Sequence, residues 1–278
     1  MLGEKTAPGI EKFVRDGENS SVTEIRVTSD EGAEAIGKPV GRYITVEIPS
    51  FSSDGELLDG RLDSLVEELS ELVPKEGTVL VAGLGNRTLT ADALGPECAE
   101  KIFATRHIGK ELAASLGLEE LRPVAAVSPG VLGKTGIEAM EVIGGVAERI
   151  KPSCIIAVDA LAAMDLKRLG STVQLSDTGI SPGSGIGNKR REISEKTLGI
   201  PVIAVGVPTV ISAYTVARNI LDDIEQNVDI SKAEKYAEFI VASREADLII
   251  QRASRLISLA INIALQPTLS AQEILMMM

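Results

Sequence analysis

The chain has few of the side chains on which most catalytic sites depend. Its 278 residues include one histidine, two cysteines and no tryptophan. A standard zinc site, or a serine nucleophile with its base, would have to use His107. We expect His107 to be a surface or structural residue and Cys98 and Cys154 to pack in the core. We therefore expect no metal and no cofactor, and any catalysis falls to carboxylates.

Positive charge is also scarce. The chain has 28 Lys and Arg against 40 Asp and Glu, a net charge of −12. Nucleic-acid binding needs clustered basic residues that release counterions, so we expect no nucleic-acid partner. The first residues carry charge and proline where a signal peptide needs an apolar core, and no apolar run is long enough to span a bilayer. Unpaired cysteines fit a reducing compartment, so the sequence predicts a cytoplasmic protein without a membrane partner.

Short apolar runs alternate with segments of helical periodicity through the middle of the chain. Strands that are apolar throughout, with helices between them, predict a mostly parallel sheet with helices on both faces. The predicted strands are residues 78–82, 124–127, 154–158, 173–175 and 202–205, and the predicted helices are residues 62–72, 99–103, 112–116 and 137–150.

The two ends of the chain differ from this middle part. Two alternating segments, 22–28 and 43–48, predict a β-hairpin or an addition to the sheet edge. Residues 210–224 and 231–265 predict consecutive helices with no strand between them, the second long and amphipathic. The prediction is one three-layer α/β domain over residues 1–278, with an N-terminal β addition at 1–55, a catalytic core at 56–225 and C-terminal helices at 226–278.

Two aspartates directly follow apolar strands. Asp92 lies in GLGNRTLTADALGP, and Asp159 follows the strand CIIAV. Ligand sites of open α/β sheets form outside the carboxyl ends of the strands. If the two strands are neighbours, carboxyls about 4 Å apart would repel by roughly 4 kcal/mol, equivalent to about three pKa units. One carboxyl would stay protonated near neutral pH, which supplies a general base and a general acid.

Other polar groups near these strands have competing interpretations. Asp92 could instead cap the following helix. The Asp-Thr-Gly triplet at 177–179 also occurs in pepsin-like proteases, but those are all-β proteins. The loop at 183–188 exposes backbone N–H groups that can hold a peptide carbonyl. The predicted catalytic residues are Asp92 and Asp159, and the predicted substrate-binding residues are Asn86, Asp177, Ser184, Gly185 and Asn188.

Five segments match a known family in the same order. They are GLGNRTLTADALGP, RPVAAVSPGVLGKTGIEAMEVIGG, KPSCIIAVDALAA, VQLSDTGISPGSGIGNKR and LGIPVIAVGVPTV. The chain resembles the germination proteases of spore-forming bacteria, which degrade small acid-soluble spore proteins. This resemblance implies an atypical aspartic endopeptidase of the spore core, with Asp92 and Asp159 essential. It also implies a phosphorylase/hydrolase-like fold shared with hydrogenase maturation proteases, a tetrameric homo-oligomer and a zymogen.

Two alternatives stay open at this point. A metal-binding peptidase of the hydrogenase-maturation type would need a His ligand downstream of Asp159, and the histidine of this chain lies upstream. A catalytically idle binding protein could retain the fold, but Asp92 and Asp159 would then lie apart or bind only capping and salt-bridge partners. The family resemblance further implies two features. One is a pro-segment, and the other is an additional segment between the helix near Ala213 and the final helices, which follow each other almost directly in this sequence.

Overall fold

The computed structural model describes residues 2–53, 56–115, 121–187, 190–225 and 228–278. Ten strands in this part of the chain form one sheet: β1 Leu2–Ala7, β2 Ile10–Gly17, β3 Ser20–Val27, β4 Gly41–Glu47, β5 Val79–Gly83, β6 Val124–Val127, β7 Cys154–Ala163, β8 Thr172–Ser176, β9 Val202–Ser212 and β10 Ile240–Ala242. The α-helices of the same part are α1 Asp30–Ile36, α2 Gly60–Leu72, α3 Leu94–Glu100, α4 Lys110–Ser115, α5 Leu132–Thr135, α6 Ala139–Ile150, α7 Glu195–Leu198, α8 Ala213–Asp223, α9 Ala246–Leu265 and α10 Ala271–Met277.

The sheet joins a parallel half to an antiparallel half. Its order is β1-β2-β3-β4-β8-β9-β7-β5-β6, and β10 pairs with the end of β9. Strands β6, β5, β7 and β9 are parallel, whereas β1 to β4 and β8 pair antiparallel. The predicted mixed α/β class and the N-terminal β addition are confirmed. The addition contains β1 and β2 as well as the two predicted strands. Strand β2 was not predicted because its charged side chains obscure the alternation of apolar residues.

Both faces of the parallel strands are buried, as their continuous apolar sequence predicts. On one face they pack against α2, α3 and α9, and on the other against α6. Cys98 and Cys154 are buried in this core, as expected. Burial raises the pKa of the Cys154 thiol to about 11, so this thiol is protonated at neutral pH.

Two central strands are longer than predicted. Strand β7 continues to Ala163 and β9 to Ser212, so α8 begins at Ala213 rather than at residue 210. Helix α3 spans Leu94–Glu100, whereas the predicted helix was residues 99–103. The longer strands matter because the additional residues of β7 and β9 border the candidate site.

The prediction of one long helix over residues 231–265 is wrong. Residues Ser231–Tyr236 form a 3-10 helix, and β10 follows before α9 begins at Ala246. The end of β9 extends beyond β8 and offers unpaired main-chain groups, which β10 satisfies. Helix α9 is long and apolar enough to cross a membrane, but 67% of that stretch is buried inside the fold, so it is a core helix.

A buried ionic cluster connects the N-terminal strands to α2. Glu24 of β3 is 1% exposed and accepts hydrogen bonds from Arg26 and Arg42. Burial raises the pKa of Glu24, but the two arginines outweigh it and lower the pKa below its usual value. Arg42 also contacts Glu71 of α2, and Arg15 of β2 contacts Glu68 of α2. The cluster holds the antiparallel half of the sheet against the α2 layer.

Replacing Glu24 with Gln should lower the free energy of unfolding by about 2–4 kcal/mol, because two partly buried guanidinium groups lose their anion. Urea unfolding at neutral pH measures this change. Glu47→Gln on neighbouring β4 is the matched control, because Glu47 is exposed and should change stability little. Equal stability of the two variants would contradict the role of the cluster.

Candidate active site

The carboxyl end of β5 lies beside a strand that continues past it. Gly83, the last residue of β5, pairs with Val158, whereas β7 runs on to Ala163. Asp159 is the first β7 residue beyond this pairing and is only 5% exposed. On its other side, Asp159 pairs with Gly206 of β9. Asp159 therefore lies in a notch where one strand stops and its neighbour goes on.

The carboxylate of Asp159 is directed to the edge that β5 leaves open. Its Oδ1 accepts a 2.9 Å hydrogen bond from the N–H of Ala160. Leu84 N–H donates to Val158 O at 2.8 Å, so the main-chain groups of Val158 face β5. Main-chain groups of alternate residues face the same edge of a strand, so those of Ala160 also face this side, beyond the end of β5.

Asp92 lies in the turn between β5 and α3. The N–H of Asn86 donates to Asp92 Oδ2 at 2.8 Å and to Asp92 O at 3.0 Å, which closes the loop between the two residues. The N-cap of α3 is Ala93, and it makes no side-chain cap hydrogen bond. The capping interpretation of Asp92 is therefore excluded.

Two glycines allow this turn to approach the strand ends closely. Gly85 has φ +113°, and a Cβ atom there would lie 2.2 Å from Asp92 O. Gly95 of α3 is even more enclosed, because its Cβ would lie 2.2 Å from Leu84 O and 2.4 Å from Val158 O. Larger residues at either position would push the Asp92 turn away from β7.

A buried threonine fixes the same turn from the opposite side. Thr209 of β9 is 2% exposed, and its hydroxyl donates a 2.6 Å hydrogen bond to Ala91 O. The turn thus crosses β7 and is held by both neighbouring strands. This arrangement brings Asp92 close enough for its charge to act on Asp159.

The two carboxyl groups form an uncompensated acidic pair. Burial is the largest cause that raises the pKa of Asp159 to about 7, and the charge of Asp92 is the second. The hydrogen bond from the Ala160 N–H lowers this pKa in part. Burial also raises the pKa of Asp92, opposed by the Asn86 N–H. Among the described residues, no Lys or Arg stabilises either carboxylate. Near neutral pH the pair can therefore hold one proton, which is the condition for general acid–base chemistry. An idle protein with separated, capping or salt-bridged aspartates would not show this arrangement.

The structure places the predicted substrate-binding residues at different distances from this pair. The side chain of Asn86 accepts hydrogen bonds from Thr88 N–H and Oγ1, so it stabilises the loop, while its own N–H holds Asp92. Ser184 and Gly185 lie in a 3-10 turn beside β7, where a Cβ on Gly185 would be 2.8 Å from the Cβ of Ala162. Asn188 lies outside the described residues.

The structure does not bring Asp177 to the carboxylate pair. Strand β8 runs antiparallel to β9, and Ser176 pairs with Ala204, whereas Asp159 is level with Gly206. Asp177 is therefore displaced by about three residues, or about 10 Å, along the sheet. It is exposed, and its Oδ1 accepts a 2.7 Å hydrogen bond from Arg42 N–H.

The described part of the chain contains no group of three or more His, Cys, Asp and Glu side chains that could hold a metal ion. His107 is exposed in the turn after α3, where Thr105 N–H donates to Val124 O at the start of β6. This is the opposite end of the sheet from Asp159. His107 therefore does not supply the additional ligand that a maturation-type metal site would require.

Sequence reasoning missed three of the residues that position the pair: Gly95, Ala160 and Thr209. Gly95 lies within the GLGNRTLTADALGP segment, where a glycine close to an aspartate could have indicated a tight main-chain approach. Ala160 and Thr209 carried no comparable signal, because their contacts depend on how far β7 and β9 extend. These contacts became visible only in the structure.

Asp159→Asn should stabilise the fold at alkaline pH. Folding raises the pKa of this carboxyl, so the folded state is favoured while the carboxyl is protonated. This contribution to stability is complete below pH about 3.9, the pKa in the unfolded chain, and is lost as the pH rises to the pKa of the folded state. Asn keeps the oxygen that accepts the Ala160 N–H but does not ionise. Urea unfolding at pH 8 should show a gain on the order of 4 kcal/mol that closes near pH 4. A less stable variant at pH 8 would contradict the assigned burial cost.

Comparison with known proteins identifies relatives across most of the chain. A family model described as germination protease matches residues 4–237. The germination protease of Clostridium perfringens strain ATCC 13124 is 41% identical over 286 aligned residues, covering 92% of this chain and 88% of that protein. That of Caldanaerobacter subterraneus subsp. tengcongensis is 40% identical over 303 residues, covering 98% and 93%. That of Bacillus cytotoxicus is 45% identical over 219 residues, covering 76% and 59%.

A solved structure of a NiFe hydrogenase maturation protease from Thermococcus kodakarensis aligns with 71% of this chain and 98% of its own, at 17% identity and a TM-score of 0.39. The assignment of this protein rests instead on the family match and on relatives that are about 40% identical over nearly its whole length. The chain belongs to the germination protease family, and it is a protease.

Proposed function

We propose that the protein is an atypical aspartic endopeptidase that hydrolyses small acid-soluble spore proteins during germination. Asp92 and Asp159 activate the attacking water. The observation that carries this proposal is the buried Asp159 carboxyl with the half-buried Asp92 carboxyl acting on it, without a cation partner among the described residues, at the carboxyl end of the central strands. Membership of the germination protease family supports the same biological context.

The different surroundings of the two carboxyls suggest a division of roles. Asp159, the more buried group, carries the shared proton, and Asp92, which accepts the Asn86 N–H, is ionised. Asp92 removes a proton from water as the water oxygen bonds to the peptide carbonyl carbon. Asp159 donates its proton to the leaving amide nitrogen as the C–N bond breaks. The proton belongs to the coupled pair, so kinetics report values for the pair as a whole.

The proposed setting is the spore core, with the enzyme as a zymogen-derived homo-oligomer, a tetramer by resemblance. An apolar surface supports self-association. Helix α8 buries none of its residues, although it is amphipathic, and Ile220 in the helix and Ile224 directly after it are 50% and 57% exposed. Val241 in β10 is 43% exposed, and Phe239 just before this strand is 59% exposed. Exposed apolar surface of this kind is typical of protein interfaces.

Asp92→Asn and Asp159→Asn should each reduce cleavage of a purified small acid-soluble spore protein by at least about a thousandfold, because each removes one member of the acid–base pair. Initial rates measured by mass spectrometry test this. Asp63→Asn on α2 is the control, because Asp63 is exposed and does not belong to the proposed site. Substantial activity in either pair variant, or loss of activity on chelation of divalent ions, would contradict the dyad mechanism.

The pH dependence of kcat/KM should show a decline centred near pH 7. Above that value Asp159 loses the proton that it must donate, since the pKa of this carboxyl is about 7. The rate should also fall in acid, where Asp92 becomes protonated and cannot act as a base. Stopped assays in buffers of constant ionic strength give this profile. A rate that stays constant from pH 6 to pH 9 would contradict the assignment of Asp159 as the acid.

A further inference from the structure

In the described part of the chain, the edge of β7 beyond Val158 has no strand partner on the side that β5 leaves. The paired residues of β5 and β7 end at Gly83 and Val158, and β9 covers only the other edge of β7. By the alternation of the strand, the main-chain groups of Ala160 and Ala162 face the open side. Among the described residues, no other strand pairs with this part of the edge.

The Asp159 carboxylate lies along this same edge. Its Oδ1 accepts the Ala160 N–H, which points sideways out of β7 toward the position that a further strand would occupy. A peptide placed in that position would therefore meet the carboxylate with its main chain. Open main-chain groups and a catalytic carboxyl thus share one edge of one strand.

Small side chains border this edge. Ala160, Ala162 and Ala163 have small side chains, and a Cβ on Gly185 would lie 2.8 Å from Ala162 Cβ and 3.5 Å from Ala162 N. Side chains project from the faces of a strand, so the closer contact, to Ala162 Cβ, places the Gly185 turn against a face of β7. The end of β5 and the Gly185 turn define the length of the open segment.

We propose that the substrate binds as an added strand along β7 at residues 160–163, with its main chain hydrogen-bonded to the C=O of Ala160 and to the main chain of Ala162, and with its scissile peptide beside Asp159. This inference rests on the proposed endopeptidase function. Strand addition takes its affinity from main-chain hydrogen bonds, so it selects locally unfolded, extended segments over folded ones. Flexible polypeptides are therefore the substrate class that this edge accommodates.

Ala162→Pro tests the edge directly. Proline removes the N–H that faces the open side, and edge positions tolerate it because they lack a pairing partner there. We expect kcat/KM for a small acid-soluble spore protein to fall at least about tenfold, because a hydrogen bond is lost and the ring occupies the edge. Cleavage by Ala162→Pro at the wild-type rate would overturn the proposal.

Ala126→Pro on β6 is the matched control. Val124 directs its N–H to Thr105 Oγ1 on the outer side of β6, so by alternation Ala126 also faces outward, away from β5. This variant carries the same substitution on an outer edge without a role in the site, and it should keep the wild-type kcat/KM. Thermal unfolding of both variants shows whether proline has affected folding.

A second measurement leaves the enzyme unchanged and also applies if Ala162→Pro does not fold. Synthetic peptides that span the cleavage site of a spore protein are methylated at one backbone nitrogen at a time. Because a strand turns alternate N–H groups toward one neighbour, methylation should raise KM at every second position and be tolerated between them. Sensitivity without this alternation would overturn strand addition.

The two proposals can fail separately. If wild-type enzyme cleaves the spore protein and Asp159→Asn does not, the endopeptidase function stands whatever Ala162→Pro does. Normal activity of Ala162→Pro would then refute only binding along β7. If the wild-type enzyme cleaves neither the spore protein nor its peptides, the proposed function itself fails.

Discussion

The buried carboxyl of Asp159 is the constraint around which the site is arranged. A lone carboxylate in this position would cost several kcal/mol, and Asp92 increases that cost instead of relieving it. The described structure supplies one N–H to each carboxyl and no cation to either. The pair therefore relieves its own repulsion by holding a proton. A site that binds one proton near neutral pH can give and take protons in the same reaction.

The fold maintains this unfavourable arrangement through ordinary packing. Strand β7 is fixed on both faces by apolar layers and on one edge by β9, so Asp159 cannot turn toward solvent without disturbing the core. Gly95 lets α3 rest directly on the strand ends, and Thr209 anchors the turn that carries Asp92. Because β5 stops one residue before Asp159, the same packing leaves an open edge beside the carboxylate. The acid–base role proposed for Asp159 and the peptide strand proposed along β7 thus have one structural origin.

The sequence predicted the parts of the structure that depend on local pattern. Continuous apolar runs identified the parallel strands, and the position of Asp159 after CIIAV placed it correctly at the carboxyl end of those strands. Features set by long-range pairing were missed. Residues 240–242 have a helix-compatible pattern, yet they pair with β9 because its end offers unpaired main-chain groups. Asp177 shares a Gly-rich segment with Ser184, but the antiparallel direction of β8 carries it away from the pair.

Direct titration of Asp159 tests the central claim that the two carboxyls share a proton. The chemical shift of its carboxyl carbon, followed by NMR in the wild type and in Asp92→Asn, reports the ionisation of this group alone. The pKa of Asp159 should be about 7 in the wild type. It should fall in Asp92→Asn, where burial still acts on Asp159 but the neighbouring charge is gone. A wild-type pKa near the ordinary value of about 3.9, or a value that the Asp92 substitution leaves unchanged, would contradict the carboxyl pair.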